Sequence, residues 1–158
     1  VLICDAFTLF AENAMEQGIE PFQRQVFALL DGFDGALPKD EEALERIFGT
    51  LADMITSYLM VEVSEKRDHL VAEQAFMQEA TMDARLGKLA TQYMDAQKAV
   101  IVEGCRKLNS LDPELDAEFL LANLLTLERQ LLLNDKATAK YIRPRALHLI
   151  RLIAGRAQ

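Results

Sequence analysis

An all-α fold, a helical bundle of about six to seven helices, is what this sequence predicts, and three observations carry the prediction. Glycine and proline number only 7 and 4 in 158 residues and fall mainly between apolar-periodic segments. Strand patterns are nearly absent: the longest β-branched cluster, Met60-Val61-Glu62-Val63, lies inside a helical repeat. Apolar residues recur three and four positions apart in one segment after another, with start or stop residues at their ends.

A first helix is predicted from about Leu2 to Gln17, with Ile3, Ala6, Phe7, Phe10 and Ala14 on one face and Gly18 as its terminator. A short second helix covers Pro21 to Leu30, with Phe22, Val26, Phe27 and Leu30 apolar. Asp31 to Lys39 holds Gly32, Gly35 and Pro38 and reads as the clearest loop. Asp40 caps a third helix with Glu41, Glu42 and Glu45 near the positive end of its dipole. Its apolar face is Leu44, Ile47, Phe48, Leu51, Ile55, Tyr58 and Leu59, and it ends near Val63.

Ser64 marks the start of a fourth helix to about Ala80, with Leu70, Val71, Ala75, Phe76 and Met77 apolar. Thr81 is the expected cap of a long fifth helix to about Leu108, lined by Leu86, Leu89, Ala90, Tyr93, Met94, Val100, Ile101 and Cys105. After a break at Asn109-Ser110-Leu111, Asp112 and Pro113 open the sixth helix as cap and first residue, followed by Glu114, Asp116 and Glu118. A linker at Asn134-Asp135 precedes a last helix that begins at Lys140 or at Pro144 and runs to Ala154, where Gly155 ends it. Leu147, Ile150, Leu152 and Ile153 form its apolar side; Arg143, Arg145, His148 and Arg151 its charged side.

The sixth helix has more leucine than a single buried stripe requires. Phe119, Leu120, Leu121, Leu124, Leu125, Leu127, Leu131, Leu132 and Leu133 cover well over one face, whereas a surface helix needs an apolar stripe only about 100° wide. The surplus calls for a second burial partner, and a subunit interface is one candidate. Asn123 interrupts this surface; it points into a pocket, pairs with its symmetry mate to fix register, or lies at a wet rim.

The length suits one domain spanning 1–158, and 51% hydrophobic residues supply an ample core. Lysine and arginine number 17 against 25 acids, a net charge of −8. That balance speaks against nucleic-acid grip by this chain, which needs a basic face, and against adhesion to anionic membranes. Cys4 and Cys105 read as reduced, buried thiols. There is no run of 18 apolar residues to span a membrane and no cleavage pattern after Leu2-Ile3-Cys4, so a cytoplasmic location is expected.

Nothing in the sequence signals catalysis. Nucleotide-binding glycine patterns and Gly-x-Ser-x-Gly are absent, and no Cys/His cluster has zinc spacing, so neither cofactor nor metal is expected. Glu65 and His69 share a helix face without the second carboxylate–histidine element of a di-iron bundle, and read as solvated surface residues. The many acids read as helix caps and solvated faces. A binding cavity is the more credible site. The third to fifth helices bring Phe48, Met54, Tyr58, Phe76, Met77, Met82, Tyr93 and Met94, apolar and adaptable side chains, with Tyr58, Tyr93 and Gln97 as polar contacts. Ordinary core packing is the competing reading. Phe48, Tyr58, Phe76, Met77, Tyr93, Met94 and Gln97 are the candidate ligand-binding residues.

From Val102 onward the text Val102-Glu103-Gly104-Cys105-Arg106-Lys107-Leu108, then Leu111-Asp112-Pro113-Glu114-Leu115-Asp116-Ala117-Glu118 and the leucine run, resembles the ligand-binding and dimerisation domain of TetR-family transcriptional regulators. The resemblance implies that the last two helices pair across a homodimer, through Leu120, Leu124, Leu127, Leu131, Leu147 and Ile150. It also implies that the preceding helices surround a hydrophobic small molecule. The family's helix-turn-helix is not evident: Asp5 to Glu12 looks like its first helix, but the threonine, Ile-Ala and Gly-Val-Ser elements do not come after Gly18. Either that module precedes Val1, as the missing initiator Met suggests, or the chain is a relative without one. DNA would be reached only through such a module. The alternative is a helical protein-interaction or scaffold module that binds neither small molecule nor DNA.

Overall fold

The computed structural model describes residues 1–33, 36–134 and 138–155, so Gly35 and Asp135 of the expected loop and linker lie outside the described residues. Seven α-helices are found among them, with no strand: α1 Leu2–Ala14, α2 Glu20–Asp31, α3 Glu41–Ser64, α4 Arg67–Ala80, α5 Ala84–Lys107, α6 Pro113–Leu133 and α7 Ala139–Ile153. The all-α prediction holds.

Gly18 does not end the first helix. A π-helical turn, Met15–Ile19, joins α1 to α2 in one helical path from Leu2 to Asp31, and Ala14, Ile19 and Glu20 all keep right-handed helical angles. The Glu20 N–H reaches back five residues to the Met15 carbonyl. Pro21 explains the wider turn: it has no N–H to donate and its ring would clash with the carbonyl four residues back, and one π turn relieves both without breaking the rod.

Two expected caps are present. The Asp40 carboxylate accepts from the Ala43 N–H at 2.8 Å, and that of Asp112 from Leu115 at 3.2 Å. Two others differ. The Ser64 hydroxyl donates to the Met60 carbonyl and so closes α3 rather than opening α4. The Thr81 hydroxyl likewise donates to Gln78 at the end of α4, while Asp83 accepts from Arg85 and Leu86 at the start of α5. A hydroxyl can donate backward or accept forward, but an ionised carboxylate only accepts, so aspartate is the less ambiguous start signal. Helix α7 begins ahead of Pro144. Ile142 is fully buried, and Tyr141 is tied by its hydroxyl to Gln130 and by its ring to the Arg145 guanidinium, 3.5 Å away.

α3 packs most extensively on α7, and α5 on α6 and α4. Three buried clusters result. The largest lies among α2, α3, α5, α6 and α7 and includes Leu44, Phe48, Ala52, Cys105, Ala146 and Ile150. A second joins α1, α4 and α5 through Phe7, Leu86 and Tyr93. A third joins α3, α6 and α7 through Leu59, Leu127, Leu131 and Ile142. α3 and α5 each serve two clusters, so the interior is connected. α3 is also the one described helix long and apolar enough to cross a membrane by length and composition; its apolar face is taken up by these clusters.

Burial narrows the surface open to the expected interface. Leu127, Leu131 and Ile150 are buried within the chain, and Leu120, Leu124 and Leu147 are partly buried against the same clusters. The leucine surplus of α6 divides between its own core and an apolar slot beside α2. Leu115, Phe119, Leu133 and, on α7, Leu152 are the large apolar side chains that remain exposed there, Phe119 at 62%. Asn123 is exposed and donates to the Phe119 carbonyl at 2.8 Å.

Candidate functional site

Two neighbouring, partly open cavities lie beside the π turn and α2. The larger, about 410 Å³, lies where the π turn crosses the ends of α3 and α4. Gln17 and Gly18 come from the π turn, Tyr58 and Glu62 from α3, His69 and Glu73 from α4, Tyr93 and Gln97 from α5, and Glu128 from α6. A Cβ at Gly18 would stand 3.7 Å from the Tyr58 hydroxyl and 3.8 Å from both Glu62 Oε1 and Lys66 Nζ, so the missing side chain keeps this chamber open toward the π turn.

Three carboxyl groups converge here from three helices. Glu62, Glu73 and Glu128 are 5%, 6% and 9% exposed. Glu62 accepts a charged hydrogen bond from Lys66 at 3.0 Å. Glu73 accepts one from the Tyr93 hydroxyl at 3.3 Å. Glu128 has neither a hydrogen bond nor a cation beside it among the described residues. Removal from water disfavours the charged form. Burial, with Glu62 adding repulsion and Tyr93 opposing it, pushes the Glu73 carboxyl up to about 7. Burial, then repulsion from Glu73 and Glu62, pushes that of Glu128 up to about 8. Both tyrosine hydroxyls are pushed up as well, mainly by burial and then by the carboxylates. Burial lowers His69, whose ring stacks on Phe10 at 4.3 Å and whose Nδ1 is buried without a hydrogen-bond partner. Among the described residues no three acids, histidines or cysteines come together as a metal site.

The second cavity, about 160 Å³, is a slot with almost wholly apolar walls. Phe22, Val26 and Phe27 of α2 face Ile101 of α5 and Leu121 and Leu125 of α6 across it. Ile19, Tyr58, Gln97 and Glu128 line both, so chamber and slot are neighbours across these four side chains. The Tyr58 ring at this junction packs on Phe22, centroids 4.6 Å apart.

Of the seven candidate ligand residues, Tyr58, Tyr93 and Gln97 line the chamber, and Tyr58 and Gln97 also the slot. Phe76 and Met77 pack into the second core cluster, Phe76 edge-on to Phe7 at 5.3 Å. Phe48 is completely buried in the first cluster and lines neither cavity. It precedes Tyr58 by ten positions on α3, roughly 15 Å along the axis at 1.5 Å per residue. Met94 also lines neither cavity; one step round the helix from buried Tyr93, it is exposed on the outer side of α5.

Glu62, Glu73 and Glu128 are the residues that sequence reasoning misses, because acids read by default as caps and solvated faces. Their signal is phase: Glu62 lies three positions after Leu59, Glu73 three after Leu70, and Glu128 three before Leu131, each on a stripe of buried residues. His69 likewise reads as a solvated residue but lines the chamber, partly buried. No family model matches the chain, and no curated protein matches it.

Proposed function

We propose that this chain is the ligand-sensing and dimerisation domain of a TetR-like transcriptional regulator, with a small molecule held in the chamber and slot and DNA reached through a module outside this chain. A cytoplasmic location goes with that reading. The observation that carries it is the position of the cavities beneath the π turn. A guest there touches Gln17 and Gly18 of the long N-terminal helix and, at once, Tyr58, Glu73 and Tyr93 of the bundle. π turns inside helices are weak points that often coincide with functional sites. A guest that binds one setting of this helix better than another shifts the population between them by that difference in affinity.

The dimer part of the proposal uses the outward side of α6 and α7, with Leu115, Phe119, Leu133 and Leu152 as its apolar contacts, in place of the inward leucines expected from the sequence. Light scattering after size exclusion tests it: the expected mass is that of two chains, and Phe119→Arg should give a folded monomer, its thermal midpoint lowered only by the lost association. Leu127→Arg, by contrast, would put a charge into the third core cluster and unfold the chain. A wild-type monomer at all concentrations, with a thermal midpoint that no lipophilic compound raises, overturns the reading.

A further inference from the structure

We propose that chamber and slot together take one lipophilic amine, its cationic head at Glu73 and Glu128 and its hydrocarbon tail among the α6 leucines. This rests on the reading of the chain as a ligand-sensing domain and names the class of ligand.

The charge of the chamber argues for a cation. Its lining holds five acids, Glu62, Glu65, Asp68, Glu73 and Glu128, against the single ammonium of Lys66, and Lys66 is already engaged with Glu62. Glu128 is the independent observation. It is more than nine-tenths buried, lines both cavities, and is left without a donor or counter-ion among the described residues. A carboxyl so placed is unpaired yet reachable from the cavity, and a cationic donor would give it a charge-assisted hydrogen bond. The Tyr58 and Tyr93 rings in the same lining are suited to an organic ammonium. A bare metal ion fits less well, since no metal-holding group is found among the described residues, and an anion is repelled.

The slot argues for a tail. Glu128 stands at the junction, so a head bonded there directs whatever it carries either back into the chamber or between Phe22, Val26, Leu121 and Leu125. Each methylene buried in such a slot tightens binding roughly fourfold. A cation also favours the ionised carboxylates that burial disfavours, so its arrival expels protons. The groups facing Glu73 and Glu128 that titrate or carry charge are Tyr58, Glu62, Glu65 and Lys66 from α3 and the turn after it, Asp68 and His69 from α4, and Tyr93 from α5; the π turn and the end of α1 bring only neutral Asn13 and Gln17.

Calorimetric titration with three probes of one chain length, decylammonium, decanol and decanoate, tests the proposal. The expected result is that the ammonium binds at least tenfold more tightly than the alcohol, with decanoate weakest, and that methylammonium, lacking the tail, binds more weakly than decylammonium. Glu128→Gln, a change of no volume at a position where the neutral acid is already favoured, should cost the ammonium at least tenfold and leave decanol unchanged. Its fold is checked by circular dichroism. If decanol or decanoate binds as tightly as the ammonium, or Glu128→Gln leaves the ammonium unaffected, the cationic head is wrong, while a ligand-sensing cavity still stands. If none of the probes binds, the amine proposal fails, and thermal shifts with other lipophilic compounds decide the broader reading separately.

Discussion

The two ends of α3 differ in what they do with the same helical stripe. Toward its N-terminus Leu44, Ile47, Phe48, Leu51 and Ala52 meet α7 and close a dry core. Farther along the helix the stripe continues as Tyr58 and Glu62 and meets a chamber with two further buried carboxyls. Geometry is the same at both ends; only the chemistry of the in-phase residues changes. Where every in-phase residue is apolar the neighbours collapse onto it. Where an acid stands in phase, the neighbours supply polar partners, and at Glu128 they supply none and leave space. The first end packs into the core, and the second lines the chamber.

The comparison breaks most readily at the dry end. Phe48→Ala removes a ring that is wholly buried, and such a truncation costs about 3–5 kcal/mol. Urea unfolding should show that loss, with no effect on a ligand's affinity for the surviving native fraction. A cost under ~1 kcal/mol would mean that the closed end relaxes as freely as the chamber.

The wet end is sharpened by pH. For Glu73 the unfolded carboxyl titrates near 4.5 and the folded one near 7. Between those values the unfolded chain has lost a proton that the native chain keeps, so stability falls as pH rises. The Glu73 contribution is fully present below pH 4.5 and lost by about pH 7, roughly 3 kcal/mol at about 1.36 kcal/mol per unit. Glu73→Gln should abolish it. The measurement is the wild-type minus variant difference in unfolding free energy at about pH 5 and about pH 7.5, either side of the folded titration, and a flat difference would place the Glu73 carboxyl in contact with bulk water.

The same contrast separates the legible from the illegible in the sequence. The helices are readable because caps and apolar periodicity are local: Asp40 and Asp112 act within three residues of themselves. Gly18 misleads because its effect is set by Pro21 and by the flanking α1 and α2, both packed on α5, and a glycine that is a stop signal in isolation becomes a passage in a packed rod. For the leucines of α6, periodicity says how many sides are apolar and not which neighbour covers each. Leu121 and Leu125 face α2, which lies about a hundred residues earlier in sequence. The chamber is half legible. Tyr58, Tyr93 and Gln97 are found by composition, while Glu62, Glu73 and Glu128 need a phase test against their apolar neighbours. Their convergence from three helices is a tertiary fact.

The smallest effect concerns Gly18, where the rod passes over the chamber. A methyl group there meets its nearest neighbours, the Tyr58 hydroxyl, Glu62 Oε1 and Lys66 Nζ, at ordinary contact distances, and the backbone on either side is right-handed helix. Gly18→Ala therefore adds no clash and removes unfolded-state freedom, which should stabilise the empty protein by about 0.5–1 kcal/mol. The same methyl reaches into the chamber and takes space from a bound head group. Stability and affinity should therefore move in opposite directions, and chemical denaturation beside calorimetry on the one variant reads both. A variant that loses stability instead would mean that the π turn needs glycine for its own geometry, and the open space beneath it would then be a by-product of the backbone rather than a place kept for a guest.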